Sequence, residues 1–453
     1  MRAAHLHAVR AALEGHAARV EWTREQLERY RNERLRSLLT FARELSPFHA
    51  ARLSDSGIDP STATVGDLAR IALMTKSDAQ EQWDAIVTVP YLDRAGAERI
   101  LAEQEWFSYT VTGEQVFSSG GSTGVRGVYV WGWEQFVALA CLAWRMQARE
   151  ERRAARAGVA AARLAVLSAA VPPHASTPLF DVPTTPDMAT TVIAAGDPFD
   201  EVLAAVKQVA PTHLVGYASV IGRLARSTLD GELDIRPVRV STNSEPLSDE
   251  DQEAIRAAWA APIHNLWGST EIGVQAVGCG HGDGLHVCED EVVLERVDEA
   301  GNPVAPDQPA VRTLATGLAG WTFPFIRYDL GDEVTMLPGE CACGSALVRV
   351  AAVTGRRDDD LRYGSQTIPA SSFRYVLGTD PAISEYQVRQ TPAGAEVLVV
   401  GSPHPDAVAA ALAAAISKHG LSNPDIRVTL VPSIERHAAT GKLRRFVPLA
   451  GDA

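Results

Sequence analysis

From about residue 105, short runs of β-forming residues alternate with longer amphipathic ones, and this alternation limits the fold more than any other feature of the chain. VYVWGW is followed by FVALACLAWRMQAREERRAARA, and LAVLSAAV by a helical stretch around DEVLAAVKQVA. THLVGYAS and VRVSTNS precede another around SDEDQEAIRAAWA, and IHNLWGS closes the series. Strands separated by helices need crossover connections, which points to a largely parallel α/β sheet. After about residue 284 the texture changes. HVCEDEVVLERVD, PAVRTLATGL, TFPFIRYDL and EVTML read as antiparallel strands joined by Gly/Pro turns. In the last hundred residues AEVLVVG and IRVTLVP flank a helical PDAVAAALAAAISKHG that stops at Gly420. At the other end, residues 1–50 read as helices with a break at Pro47, and DPSTATVGDLAR as a capped helix start. The expected architecture is a large α/β domain with mixed sheets over 1–354, whose first hundred residues or so form a helical entry region. A small mobile α+β domain follows over 355–453.

Length and charge narrow the function. At 453 residues the chain exceeds one compact core, and its net charge of −14 offers no basic excess to replace the counterions of a nucleic acid. No apolar run reaches the length of a membrane span. The amphipathic MRAAHLHAVRAALEGHAARVEW lacks the continuous apolar segment of a secretory signal. Five cysteines, an odd number, suit a reducing compartment, where thiols serve as metal ligands or core residues. The expectation is a cytoplasmic protein with no nucleic-acid or membrane partner.

FSSGGSTGVRG, residues 117–127, holds four glycines and four hydroxyl side chains, with Arg126 its only charge. Free backbone N–H groups beside hydroxyls suit a phosphate chain. The loop is no Walker A motif, since no Gly-Lys-Ser/Thr closes it. Alone it reads more readily as a surface turn. Five further segments follow in order: STNSEPL (241–247), WGSTE (267–271), RYDLGD (327–332), GRRDD (355–359) and ATGKLRR (439–445). Together with GSTG (121–124) they resemble the motifs of the adenylate-forming superfamily of acyl-CoA synthetases, luciferases and adenylation domains. SPFHAARL, LMTKSDA, GLHVCED, FPFIRYDLGD and CACG resemble its phenylacetate–CoA ligase branch. The resemblance covers nearly the whole chain.

The resemblance implies a reaction in which a carboxylate attacks the α-phosphate of ATP and pyrophosphate leaves. CoA thiol then displaces AMP. Ser119, Gly121, Ser122, Thr123 and Gly124 would cradle the β- and γ-phosphates. Ser244, Glu245, Pro246 and Trp267 would line the adenine pocket, and Asp332 with Arg356 would fix the ribose hydroxyls. Glu271 would hold Mg²⁺, since a hard ion takes carboxylate oxygen. Thr270 would donate to the α-phosphate, and Lys442 would bridge the attacking carboxylate and the phosphate oxygens. Asp358 stands at the family's hinge, where the small domain turns between the two half-reactions.

Cys341-Ala-Cys343-Gly is a knuckle-type pair, and Cys279, His281, His286 and Cys288 lie in CGHGDGLHVC. Such a set suits a closed structural zinc site. The resemblance selects Cys279, His286, Cys341 and Cys343, with His281 and Cys288 as alternates. Cys141, alone in an apolar helix, reads as a core residue. For the acid, the family's positions point to His174, Tyr217 and Ile272. Tyr217 and Ile272 favour a flat, apolar ring and hence an aryl or arylalkyl carboxylate, while His174 reads as orienting a polar substituent or, rather more readily, as a satisfied loop histidine.

Two departures stand out. Val125-Arg126-Gly127 replaces the family's proline and lysine after GSTG, and the spacing from Arg356 to Gly364 is one residue short. They leave room for a divergent member that passes the adenylate to an amine, or that activates nitrite for diazotisation of an aryl amine. A scaffold that only binds nucleotide would be expected to have lost one of Lys442, Glu271 and Asp332, and all three are present. Related enzymes are often dimers, so a homodimer is compatible with the resemblance.

Overall fold

The computed structural model describes residues 1–119, 127–153, 162–170, 174–182, 184, 188–282, 284–305, 308, 310–332, 334–351, 353, 359–364, 366–368, 370–378, 380, 382–436 and 443–449. The phosphate-loop residues Gly121, Ser122, Thr123, Gly124 and Arg126, the hinge residues Arg356 and Asp358, and Lys442 lie outside these. So does the expected domain boundary at 354/355.

A mixed sheet forms the centre, with nine strands among the described residues. Its parallel half runs Ala189–Ala194, Arg163–Ser168, His213–Tyr217, Arg239–Asn243, Ile263–Ser269. The crossovers include the helices Phe199–Val209, Ala218–Leu229 and Asp249–Trp259, as the alternation in the sequence requires. From Ile263–Ser269 the sheet continues antiparallel through Gly273–Val277 and Leu285–Val287 to Arg349–Val350 and Met336–Leu337. A second, antiparallel sheet joins Val292–Val297, Arg312–Gly317 and Tyr328–Asp329.

The N-terminal helices are Arg2–Arg19, Arg24–Leu45 and Pro47–Ser56. Pro47 does break the pattern, but as the first residue of a new helix, with the Ser46 hydroxyl accepting from His49 N–H. DPSTATVGDLAR yields a 3₁₀ turn, Val65–Arg70, closed by a Thr64–Asp67 capping box. The long helix Trp133–Arg153 is buried on most of its length. Its Arg145 pairs at 2.7 Å with Asp290, both fully buried, and Arg19 pairs with Glu291 at the same distance. These pairs tie the helix Trp133–Arg153 and the first N-terminal helix to the turn that precedes the strand Val292–Val297.

The C-terminal unit has its own core, built from residues between Leu361 and Phe446. Its four-stranded sheet runs Asp425–Leu430, Gly394–Gly401, Ile383–Thr391, Phe446–Val447, with the helix Pro405–Ser417 packed against it. No helix among the described residues is long and apolar enough to cross a membrane.

Candidate active site

The strands Gln115–Ser119 and Gly127–Trp131 form an antiparallel hairpin with Ser119 opposite Gly127, so the glycine- and hydroxyl-rich loop joins two buried strands. Gly127 is obligatory here: a Cβ would lie 2.1 Å from the Tyr129 hydroxyl. That hydroxyl donates to Glu271 Oε1 at 2.8 Å, and the Tyr328 hydroxyl donates to the same oxygen at 3.2 Å. Burial, reinforced by the Glu271 charge, pushes the Tyr129 phenol far up, so it stays a donor. Trp131 Nε1–H donates to the Thr270 carbonyl at 2.9 Å. The hairpin therefore fixes both Thr270 and Glu271.

Within WGSTE, the Ser269 hydroxyl accepts from Ile272 N–H at 3.2 Å and from Gln275 Nε2–H at 2.8 Å, which closes the turn. Gly273, at φ +92°, passes so close to Leu139 that a side chain would clash. Trp267 Nε1–H reaches across 65 residues to Asp332 at 2.7 Å, and both side chains are buried. The motifs 267–271 and 327–332 thus form one surface, joined by Trp267–Asp332 and Tyr328–Glu271.

In STNSEPL, Ser244 takes a left-handed backbone at φ +63° and donates to Asn243 Oδ1 at 2.8 Å. Ser244 and Pro246 are exposed. Glu245 turns the other way. Its Oε2 accepts from the Ser219 N–H at 3.0 Å and the Ser219 hydroxyl at 2.6 Å, capping the helix Ala218–Leu229. Its Oε1 accepts from Leu443 N–H of the C-terminal unit at 2.7 Å. Of the three residues expected to line an acid pocket, Tyr217 and Ile272 are buried and His174 half-buried. Burial raises the Tyr217 phenol, against the pull of Ser176 and the Ala169 backbone.

Cys279, His286, Cys341 and Cys343 come together from three segments, their ligand atoms all within 4.8 Å of one another and all four residues buried. Cys279 and Cys341 sulfurs are 3.6 Å apart, and Cys343 Sγ is 3.4 Å from His286 Nε2. A tetrahedral zinc with arms of about 2.3 and 2.0 Å needs edges of about 3.8 and 3.5 Å, close to both. His286 Nδ1–H donates to the Leu347 carbonyl at 3.3 Å, which leaves Nε2 as the lone-pair nitrogen facing the sulfurs. A hydrogen bond from the Cys279 thiol pulls the Cys343 thiol strongly down, against its burial, toward thiolate. The alternates lie elsewhere: exposed His281 is 3.2 Å from Glu150, and Cys288 sits in the core beside Arg145. The chemistry of the donor set fits zinc.

The tyrosines on Glu271 carry no local signal that marks them, although Tyr328 lies inside the RYDLGD segment. Nor does any local signal mark Ser219, Arg436, Asp251 and Arg445, which join the two units.

No family model matches the chain. It is 22% identical over 375 residues to a phenylacetate-coenzyme A ligase of Thermus thermophilus, a match covering 81% of this chain and 78% of that one. Among solved structures, 2-hydroxyisobutyryl-CoA ligase in its postadenylation state overlays with a TM-score of 0.71 at 17% identity, covering 95% of this chain and 91% of that one. The same ligase in its thioesterification state gives 0.59 at 18% identity, over 94% and 91%. The fold is that of the adenylate-forming CoA ligases. In sequence the chain is similar to the phenylacetate–CoA ligases, the branch that its motifs resemble.

Proposed function

We propose that this chain is an adenylate-forming acid–thiol ligase that converts an aryl or arylalkyl carboxylate, with MgATP, to acyl-AMP and pyrophosphate, and then to a CoA thioester. The observation that carries this reading is the junction at Glu271, where the hairpin, the WGSTE turn and the RYDLGD segment meet on one carboxylate. Adenylation needs donors and a metal fixed in advance around a phosphorus whose charge is redistributed in the transition state. Glu271 Oε1 is held by two phenols, and among the described residues no donor occupies Oε2. Such a carboxylate fits Mg²⁺, which would neutralise phosphate charge as pyrophosphate departs. Asp332, oriented by Trp267, would accept from the ribose, and Lys442 would stabilise the attacking and α-phosphate oxygens. Tyr217 and Ile272 supply the apolar walls that favour a ring.

In the second half-reaction the CoA sulfur would attack the acyl carbonyl, and the mixed-anhydride C–O bond would break to release AMP. The closer overlay on the postadenylation form supports reading the described arrangement of the units as the adenylation side of that cycle. Zinc at Cys279, His286, Cys341 and Cys343 would be structural, since four protein ligands leave no open position. Small-molecule acid, ATP and CoA are the proposed partners, in the cytoplasm.

The test is pyrophosphate release with MgATP and a panel of benzoate, phenylacetate, cinnamate and their hydroxy and amino analogues, with and without CoA. Mass spectrometry would follow the products. A CoA thioester of one aryl acid is expected. No pyrophosphate with any carboxylate, from folded protein, would overturn the reading. AMP with a CoA-independent product would move the acceptor to an amine, or the activated acid to nitrite.

A further inference from the structure

The contacts between the two units converge on two carboxylates of the large one. Glu245 Oε1 accepts from Leu443 N–H at 2.7 Å, and Arg436 donates to the Ser219 hydroxyl that itself donates to Glu245 Oε2, at 2.6 Å in each step. Asp251, near the start of the helix Asp249–Trp259, accepts on Oδ1 from Arg226 at 2.8 Å and on Oδ2 from Arg445 at 3.4 Å. Asp251 is pressed so closely onto the neighbouring helix that a Cβ at Gly222 would lie 2.0 Å from Oδ1. The side chains of Glu245, Asp251, Arg436 and Arg445 are all at most 12% exposed.

Every member also keeps a partner inside its own unit. Glu245 retains the Ser219 N–H and hydroxyl, and Asp251 retains Arg226. Arg436 retains Glu385, and Arg445 retains the Tyr386 ring, 4.9 Å from its guanidinium. A buried charge stripped of its only partner is strongly destabilising, whereas one that keeps a partner is not. Separation of the units would therefore leave no orphaned charge. That is the chemistry of a joint built to open and close rather than of a permanent weld.

The segment these groups hold matters most. Leu443 and Arg445 flank Lys442 on its C-terminal side, and Arg436 lies six residues before it. We infer that Glu245 and Asp251 are positioning residues for the adenylation half-reaction, seating the chain on either side of Lys442 through Arg436, Leu443 N–H and Arg445. Glu245 then belongs to the joint between the units rather than to the adenine contact its motif implies. This inference rests on the ligase reading for its kinetic arm only.

The test pairs a chemical readout with a physical one. In full-length protein, Asp251→Asn and Arg445→Gln should each lower acid-dependent ATP–pyrophosphate exchange about tenfold. Thioester formation from supplied acyl-AMP should stay within twofold of the unaltered protein. The double variant should be no worse than either single one, and Arg445→Lys should recover most of the loss. Separately, fluorophores at Ala257→Cys and Ser417→Cys, both exposed sites while the native cysteines are buried, should report lower energy transfer in Arg445→Gln without any substrate. Equal loss in both half-reactions, or exchange and transfer both unchanged, would overturn the inference. If the unaltered enzyme adenylates no acid, the ligase reading fails, and the energy-transfer arm still decides whether the joint exists.

Discussion

Two phenols donate to one oxygen of Glu271 and, among the described residues, none to the other, and the proposed Mg²⁺ at that second oxygen fixes what each substitution there should do. Glu271→Gln should lower ATP–pyrophosphate exchange on the order of 10²–10³-fold, by analogy with loss of a single preorganised transition-state group. Tyr129→Phe should cost only about 1 kcal/mol of stability, because Tyr328 still donates, and should raise the Mg²⁺ needed for half-maximal exchange a few-fold. An unchanged Mg²⁺ dependence in both variants would remove Glu271 from the metal. Buried histidines set a second expectation at this scale. Arg52 donates to His49 Nδ1, so His49 Nε2–H must donate to the Pro324 carbonyl. Arg239 donates to His264 Nε2 in the same way, leaving Nδ1–H for the Gly278 carbonyl. Burial first, and these arginines second, hold both imidazoles at about 3. The unfolded chain binds their protons near pH 6.5 and the folded chain does not, so stability is full above pH 6.5 and is lost as pH falls toward 3. Each contributes up to about 1.4 kcal/mol per pH unit in that window. Urea midpoints at pH 7.5 and 5.0 should differ accordingly, and His49→Gln should flatten the slope. The motif residues Trp267, Glu271 and Asp332 were legible in the sequence because their chemistry sits in short strings. Tyr129 was not, because nothing local distinguishes its hydroxyl from that of any core tyrosine.

Whole strands and helices were legible where they are long enough to show a period. His213–Tyr217 and Arg239–Asn243 stand between helices and read directly as buried parallel strands. Tyr328–Asp329, Met336–Leu337 and Arg349–Val350 have two residues each, too few to carry any alternation, and their places in the sheets come from tertiary pairing. The cysteine and histidine cluster is intermediate. Its four residues were visible as two groups, and only the fold puts His286, on the strand Leu285–Val287, beside the Cys341–Cys343 knuckle. It also ties the knuckle to distant helices, since Arg149 donates to the Cys343 carbonyl at 2.7 Å and Ser345 to the Val20 carbonyl at the same distance. Purified protein should carry about one zinc per chain by elemental analysis. Chelation, or Cys341→Ser, should lower the melting temperature by several degrees, because metal affinity is folding free energy at such a site. Metal-free protein with an unaltered melting temperature would return the four residues to the core as ordinary thiols and imidazole.

For the molecule as a whole, the decisive contrast is between a small unit with its own core and N-terminal helices that have no independence. The C-terminal core draws on residues between 361 and 446, whereas the other apolar clusters lie before 354. The fragment 1–353 should therefore fold, keep its zinc and bind ATP, while exchange falls at least a hundredfold for want of Lys442. Removal of residues 1–45 should do the opposite. Glu289 takes a bidentate pair from Arg24 and a third bond from Arg31, and fully buried Asp290 and nearly buried Glu291 take Arg19, with Arg34 also 3.6 Å from Glu291. Asp290 would keep Arg145, but Glu289 and Glu291 would lose every cation that pairs with them among the described residues, each carboxylate worth about 3–5 kcal/mol when orphaned. Against a total stability of about 5–15 kcal/mol, two such losses consume most of what a domain has. The truncated protein should be insoluble, or should lack a cooperative melting transition. A soluble, cooperatively melting 46–453 fragment would mean that the arginine network decorates the fold rather than holding it.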